Sequence, residues 1–488
     1  MRRAEKAAAG VLLVLSLLPI WLYPLFPSQD GPSHLYNSVI FTDLWAHEKG
    51  FFAQFYDLNW RPFPNWTFTI LASLLHPLLW INTVEKILLS AYLVGFVSAV
   101  FYFLRSISAE KTAIGFGAFL LGYNWHLLMG FYNFCFSVPL ALVTIGYCIR
   151  HRGFIHGGRM CSLMGLLLAL YFSHVVSFGL ALLVVAILFG FFGQRRLSAL
   201  GELVVPCLPA AACFLIHLSM QPGTAESFLF PPPKWSVMNA LSLRIGPLFH
   251  GWEIVWLFAL WTLLIAWLVM GLPQIRQWHP ETRIWALVLG LVIVLCLVMP
   301  NNALGGSALN ERFAFYTGLF LLPALSLRAW TLPRWILVAG FLVLFAAQQV
   351  YLHVTFWEWN QRLAPFHRAA GHLQPASKVL PLMFAPNEVG FYVNPLLHAD
   401  SYSLIPNRCV SPTNYEAHRT YFPLRYKWNA LPTPTDWYKP ESFLQHDMAR
   451  HYDYVLVWNA HPSVFQSPAL RTFTEVFAER DVHLLKRR

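Results

Sequence analysis

Apolar runs of helical length recur along the chain, separated by short polar loops, and they set the expected fold before any single residue is considered. They fall at about 8–26, 87–104, 112–128, 133–149, 160–173, 175–193, 202–219, 252–271, 284–300, 313–327 and 335–351. An upright membrane-crossing helix needs roughly 20 residues, so the pattern predicts an α-helical polytopic membrane protein of about 11 spans with loose boundaries. Ser173-His174 marks a turn that divides the long run 160–193. The basic N-terminus, Arg2-Arg3-Ala4-Glu5-Lys6, and the apolar run behind it resemble a signal peptide. The run is long, and Leu22-Tyr23-Pro24-Leu25-Phe26 offers no small-residue cleavage site, so an uncleaved first helix is expected.

One further run, 66–82, decides the topology. As a span it places Arg105/Lys111, Arg150/Arg152/Arg159, Arg195/Arg196, Arg276/Arg283 and Arg328/Arg334 outside. As a helix lying in the outer face it puts all of them in the cytoplasm with Arg2, Arg3 and Lys6, leaving Lys49, Arg61, Lys86, Lys234, Arg244 and Arg312 outside. The positive-inside rule favours the second arrangement, and His76-Pro77 suits a broken helix. An inner-membrane protein is expected, with a cytoplasmic N-terminus and three outer loops, 27–86, 220–251 and 301–312. From about 352 the chain turns polar, Pro-rich and His-rich. Strand-like runs at 379–384 and 454–458 predict a small extracytoplasmic α/β domain, giving a transmembrane domain 1–351 and an outer domain 352–488.

Composition narrows the function. The chain is 57% hydrophobic and 12% charged, with mean hydropathy +0.50, where a soluble domain carries roughly 25% charged residues. The net charge of +11 sits in short interhelical loops; that is a topological footprint and argues against a nucleic-acid partner. Six of seven cysteines fall in or beside apolar runs, no CxxC pair occurs, and neither a zinc site nor a disulfide framework is expected. No Asp or Glu falls inside an expected span, with Glu253 at one end. Ion-coupled transporters usually need such carboxylates, so chemistry at the outer surface is favoured over transport.

The outer loops supply the candidate residues. In Gln29-Asp30-Gly31-Pro32-Ser33-His34, just after the first span, Gly31 and Pro32 force a turn that can hold the Asp30 carboxylate at the membrane boundary. Two readings stand: a general base for an acceptor hydroxyl, or an Asx-turn or N-cap for the next helix. His34, four residues on, shares a helical face with Asp30, as an Asp–His pair, a pair of metal ligands or a structural histidine. Asp43 and Asp57 read as loop acids, Asp43 also as a candidate second acid. Arg312, after Gly305-Gly306-Ser307 and before an apolar run, is costly at that depth unless something anionic meets it; a phosphate suits its guanidinium, and pairing with Glu311 or snorkelling is the alternative. Lys234 and Arg244 are further phosphate candidates. Trp60 and Trp66 suit sugar stacking or interfacial anchoring. His126, His174 and His217 read as packing residues.

These features resemble the GT-C superfamily of integral-membrane glycosyltransferases, which use polyprenyl-phosphate-linked sugars. The likeness rests on the acid after the first span, the long outer loop with surface-lying helices (about 33–47 and 66–80), Asn310-Glu311-Arg312-Phe313 before a late helix, and the outer C-terminal domain. It implies that Asp30 deprotonates or orients the acceptor, and that Arg312 or another outer cation meets the leaving lipid phosphate. The partners implied are a polyprenyl-phosphate-sugar donor, a glycan, lipid or protein acceptor, and membrane lipids. The family commonly carries a second acid in the next outer loop; Met129-Gly130-Phe131-Tyr132-Asn133 has none, so a divalent metal finds no support there. The expected function is inverting sugar transfer on the extracytoplasmic face. The alternative is a non-catalytic GT-C-like scaffold or lipid-binding subunit of an envelope assembly.

Overall fold

The first apolar run folds as α1 (Arg3–Leu22), and Pro24 and Pro27 bar the helix from continuing toward Gln29. The computed structural model describes residues 3–47, 49–192, 196–220, 229–246, 249–253, 255, 258, 261–262, 280–303, 306–324, 334–384, 392–419, 421–434, 439–445 and 448–488. The long first loop carries α2 (Gly31–Ala46), a short strand β1 (Tyr56–Leu58) and α3 (Thr67–Leu75). Nine residues at 1.5 Å each reach roughly 14 Å, about half a hydrocarbon core, so α3 does not cross a bilayer. It stops at His76-Pro77, where the proline was expected to break it, and packs on α2.

The longer helices that follow are α4 (Ile81–Ile107), α5 (Tyr132–His151), α6 (Gly158–Ser173), α7 (Val175–Phe192), α8 (Arg196–Ser219), α9 (Pro233–Ser242), α10 (Pro280–Val298), α11 (Leu309–Ala324) and α12 (Arg334–Ala369). Five described stretches are long and apolar enough to cross a membrane: Arg3–Leu22, Ile81–Ile107, Tyr132–His151, Gly201–Ser219 and Val338–His372. Gly158–Ser173, Val175–Phe191 and Arg283–Val298 are apolar but shorter. The expected span 112–128 is instead a 3₁₀ stretch (Ala109–Gly117) and two single turns (Ala118–Leu121 and Trp125–Leu128). Gly115, Gly117 and Gly122 within it weaken a continuous helix. Most of 252–271 lies outside the described residues, as do Arg2, Arg195, Arg276, Gly305 and Arg328.

Two boundaries differ from expectation. α4 begins six residues before the run at 87–104 and takes in Glu85 and Lys86, so a buried acid lies inside a membrane-length helix. The composition change near residue 352 falls within α12, 36 residues and roughly 54 Å long.

Beyond α12 a four-stranded sheet forms, in the order β2 (Val379–Met383), β4 (Tyr454–Trp458), β6 (Val482–Arg487) and β5 (Phe473–Glu479). β2 and β4 pair in parallel and the other neighbours antiparallel. A separate strand, β3 (Leu424–Tyr426), pairs antiparallel with β1, Tyr56 opposite Tyr426. Asn59 reinforces this ladder, its backbone N–H donating to Pro423 O at 2.8 Å and its amide to Phe422 O at 2.9 Å. Tyr36 donates to the Cys409 carbonyl at 2.8 Å, and Asn37 and Asn414 exchange amide hydrogen bonds. The C-terminal segment is thereby stitched onto the first loop.

Candidate active site

The turn at residues 27–34 is held from three sides. Asn360 of α12 bonds both backbone groups of Leu25, accepting from its N–H at 3.0 Å and donating to its carbonyl at 2.9 Å. The N–H groups of Gln29 and Asp30 donate to Leu128 O (2.9 Å) and Met129 O (3.1 Å). Two glycines permit this approach. A Cβ on Gly31 would lie 2.0 Å from Ser28 Oγ and 2.4 Å from the Tyr132 hydroxyl; Gly130, at φ +81°, is where a side chain would strike the Asp30–Gly31 backbone. Tyr132 donates to Glu85 Oε1 at 2.6 Å, which leaves Ser28 to donate to Tyr132 at 2.8 Å.

Asp30 occupies the N-cap position of α2, yet its side chain caps no backbone N–H. The carboxylate faces other side chains: the Gln29 amide at 3.3 Å, His398 Nε2 at 3.7 Å and a Tyr415 hydroxyl that donates to it. Of its side-chain surface 13% remains open, enough for a hydroxyl to reach it. Burial pushes the carboxyl up to about 6, against the opposing pull of the His34 charge and the Gln29 amide. At neutral pH it is therefore mostly ionised and poised near the working range of a general base.

His34 lies one turn on, buried, with Nδ1 at 2.9 Å from Glu416 Oε1. Burial alone would lower its affinity for a proton; the Glu416 carboxylate, then Asp30 and the Gly130 carbonyl, outweigh it, and the imidazole is raised. His398 responds oppositely: burial and the charge on His34 lower it to about 3. It stands neutral beside Asp30, stacked on Tyr415 at 4.8 Å between ring centroids.

Asp30 and His34 open onto a cavity of about 690 Å³ whose lining includes Arg312. The polar end adds Asn133, Tyr132, Tyr415 and Tyr421; the apolar walls come from α7 (Leu180, Leu183), α8 (Phe214) and α10 (Leu295, Val298). Arg312, in the first turn of α11, is 7% exposed. Its guanidinium lies over Phe131 at 5.0 Å and Phe134 at 5.5 Å and donates to Ser307 O, while its buried Nε has no hydrogen-bond partner among the described residues.

The other candidates lie elsewhere. Arg244 is buried over the Trp125 ring at 4.3 Å, bonded to Asn239 and 3.8 Å from Glu311, outside the cavity lining. Lys234 is exposed at the start of α9. Trp60 and Trp66 stack on each other at 5.6 Å in a cluster with Phe41 and Trp45, and Pro64 and Asn65 between them reach the cavity. Asp43 is buried against Arg408 and His47, and Asp57 pairs with Lys427 at 3.8 Å. His174 and His217 line the cavity; His126 packs among Trp125, Phe131 and Phe134.

Sequence reasoning missed His398, Tyr415, Glu416 and Tyr421, all from the polar tail. Glu416 is the sole acid between Asp400 and Asp436, a faint signal that nothing local makes specific. Among the described residues no three His, Cys, Asp or Glu side chains group as a metal site.

No family model matches the chain, and no curated protein matches it by sequence. Among solved structures, ArnT from Cupriavidus metallidurans in the apo state superposes with a TM-score of 0.57 at 12% identity, over 99% of this chain and 98% of that one. Across nearly its whole length this chain therefore shares the fold of that ArnT structure.

Proposed function

We propose that the protein is an inverting glycosyltransferase that moves a sugar from a polyprenyl-phosphate-linked donor to a hydroxyl acceptor on the extracytoplasmic face. The single observation that carries this reading is one cavity lined by both Asp30 and Arg312, apolar along its helical walls and polar at its end. Its apolar part suits an isoprenoid chain, and its polar part suits a phosphate and a sugar ring.

In this reading Asp30 takes the proton of the acceptor hydroxyl while the acceptor oxygen bonds to the anomeric carbon. The bond from that carbon to the phosphate oxygen breaks, and its electron pair leaves on the phosphate, where the Arg312 guanidinium neutralises the growing charge. The transition state is oxocarbenium-like, so an anion on the acceptor side and a cation at the leaving group both favour it. Attack from the face opposite the departing phosphate inverts the anomeric centre.

The test is Asp30→Asn in the full-length, membrane-reconstituted protein, supplied with polyprenyl-phosphate hexoses and pentoses. A loss of roughly 10²–10⁴-fold in sugar release is expected for a general base. Activity within about threefold of wild type would remove Asp30 from that role.

A further inference from the structure

A buried carboxylate serving the fold alone is normally surrounded by donors. Glu416 is 1% exposed, and neither of its oxygens meets a backbone N–H or a hydroxyl among the described residues. Its partner is His34 Nδ1, at 2.9 Å. The His34 ring also meets the Gly130 carbonyl. A carboxylate oxygen 2.9 Å from the ring favours the protonated form of the imidazole. The fold thus places an imidazole biased toward its cation one helical turn from Asp30, and the acid beside it lies 382 residues further along the chain.

We infer that Glu416 is a positioning residue for Asp30: it keeps His34 protonated beside the base, so that the site is complete only with the C-terminal turn Tyr415–His418 seated on α2. This rests on the glycosyl-transfer reading for the role of Asp30, but the state of His34 can be examined without it. The groups that face the pair are Asp30 on α2, Glu85 on α4, Tyr132 on α5, and His398, Tyr415 and Glu416 from the C-terminal segment. The His34 charge acts on Asp30 more strongly than the opposing Glu416 charge does. Removing Glu416 therefore costs Asp30 its cation and leaves it harder to ionise.

The experiment compares wild type, Glu416→Gln and Glu416→Asp as full-length protein in nanodiscs. Histidine ¹⁵N NMR, with His34→Gln to identify the signal, reads the first arm. The His34 proton is expected to be released about one pH unit lower in Glu416→Gln than in wild type, a tenfold change in proton affinity, with Glu416→Asp restoring it in part. An unchanged His34 titration would overturn the inference. The second arm follows sugar release from a polyprenyl-phosphate hexose, with water as acceptor, against pH. Its acid limb is expected to move up by about one unit in Glu416→Gln; a merely structural Glu416 would lower the rate at every pH and leave the limb in place. Should Glu416→Gln fail to fold, His34→Gln must raise the same limb, and an unmoved limb sinks the inference. If Asp30→Asn retains activity, the base reading fails, while the His34 titration still decides the Glu416–His34 pairing.

Discussion

Gly130 sits directly against the Asp30 peptide: a Cβ at residue 130 would fall 2.5 Å from Gly31 N and 2.9 Å from Asp30 N. The loop before α5 is the mould that shapes the Asp30 turn, and it acts by backbone contact. Gly130→Ala would meet both a left-handed φ of +81°, worth about 1–2 kcal/mol against an L-residue, and atoms of main chain that cannot swing away. The expectation is a destabilisation above about 2 kcal/mol in thermal unfolding, with sugar release down at least tenfold from a displaced base. Wild-type activity in Gly130→Ala would show that the turn does not depend on this contact.

Arg312 tests the cation in the same cavity. Its guanidinium stacks on Phe131 and Phe134, and its buried Nε has no hydrogen-bond partner among the described residues; in the proposed reaction it meets the donor's phosphate. Arg312→Gln removes the charge and is expected to lower kcat/KM for a polyprenyl-phosphate sugar by about 10²-fold or more, as loss of a transition-state donor does. Arg312→Lys keeps the charge but not the planar fork and should fall between the two. Binding of polyprenyl phosphate alone, measured by calorimetry, should weaken in parallel.

The pH dependence follows from Asp30. With its carboxyl raised to about 6 by burial, the base is spent as pH falls through that value, so the rate should drop with an acid limb near pH 6. The sign for stability is opposite. A folded-state value above the ordinary 3.8 means that ionising Asp30 opposes folding: the penalty is absent below about pH 4, grows through pH 6 and at pH 7 amounts to about 3 kcal/mol. Asp30→Asn should therefore raise the melting temperature at pH 7 while abolishing turnover. A lowered melting temperature would show that the carboxylate is stabilised by its surroundings.

The reciprocal amide pair between Asn37 on α2 and Asn414, with bonds of 3.0 and 2.9 Å, is the buried clasp beside the Glu416 turn. Asn37→Ala strands the Asn414 amide and should cost about 1–3 kcal/mol. The double variant Asn37→Ala/Asn414→Ala should cost less than the two single changes summed. Strict additivity in thermal unfolding would mean that the clasp contributes nothing as a pair.

Much of the architecture was legible from one sequence because bilayer solvation acts locally and repeats along the chain. Apolar runs of helical length mark α1, α4, α5 and α8; Gly31-Pro32 marks the start of α2; and His76-Pro77 ends α3 where its backbone demands. Hydropathy failed where composition and conformation part company. The run 112–128 is apolar enough for a helix, but three glycines and tertiary packing break it. Glu85 lies in the first turns of α4, which the expected run 87–104 left out, and Tyr132 provides it a partner that no hydropathy window can see.

The sequence by itself determined that this is a helical membrane protein with an acid in a turn after its first helix, since patterning and turn chemistry depend on neighbours a few residues apart. Tertiary structure alone decided what surrounds that acid: His398, Tyr415 and Glu416 approach Asp30 and His34 from the far end of the chain. It also decided that Arg312 opens onto the same cavity while Arg244 does not. The reason is physical: burial and pairing of charge are set by distance in space, and a linear pattern carries no record of which remote side chains fall within 4 Å.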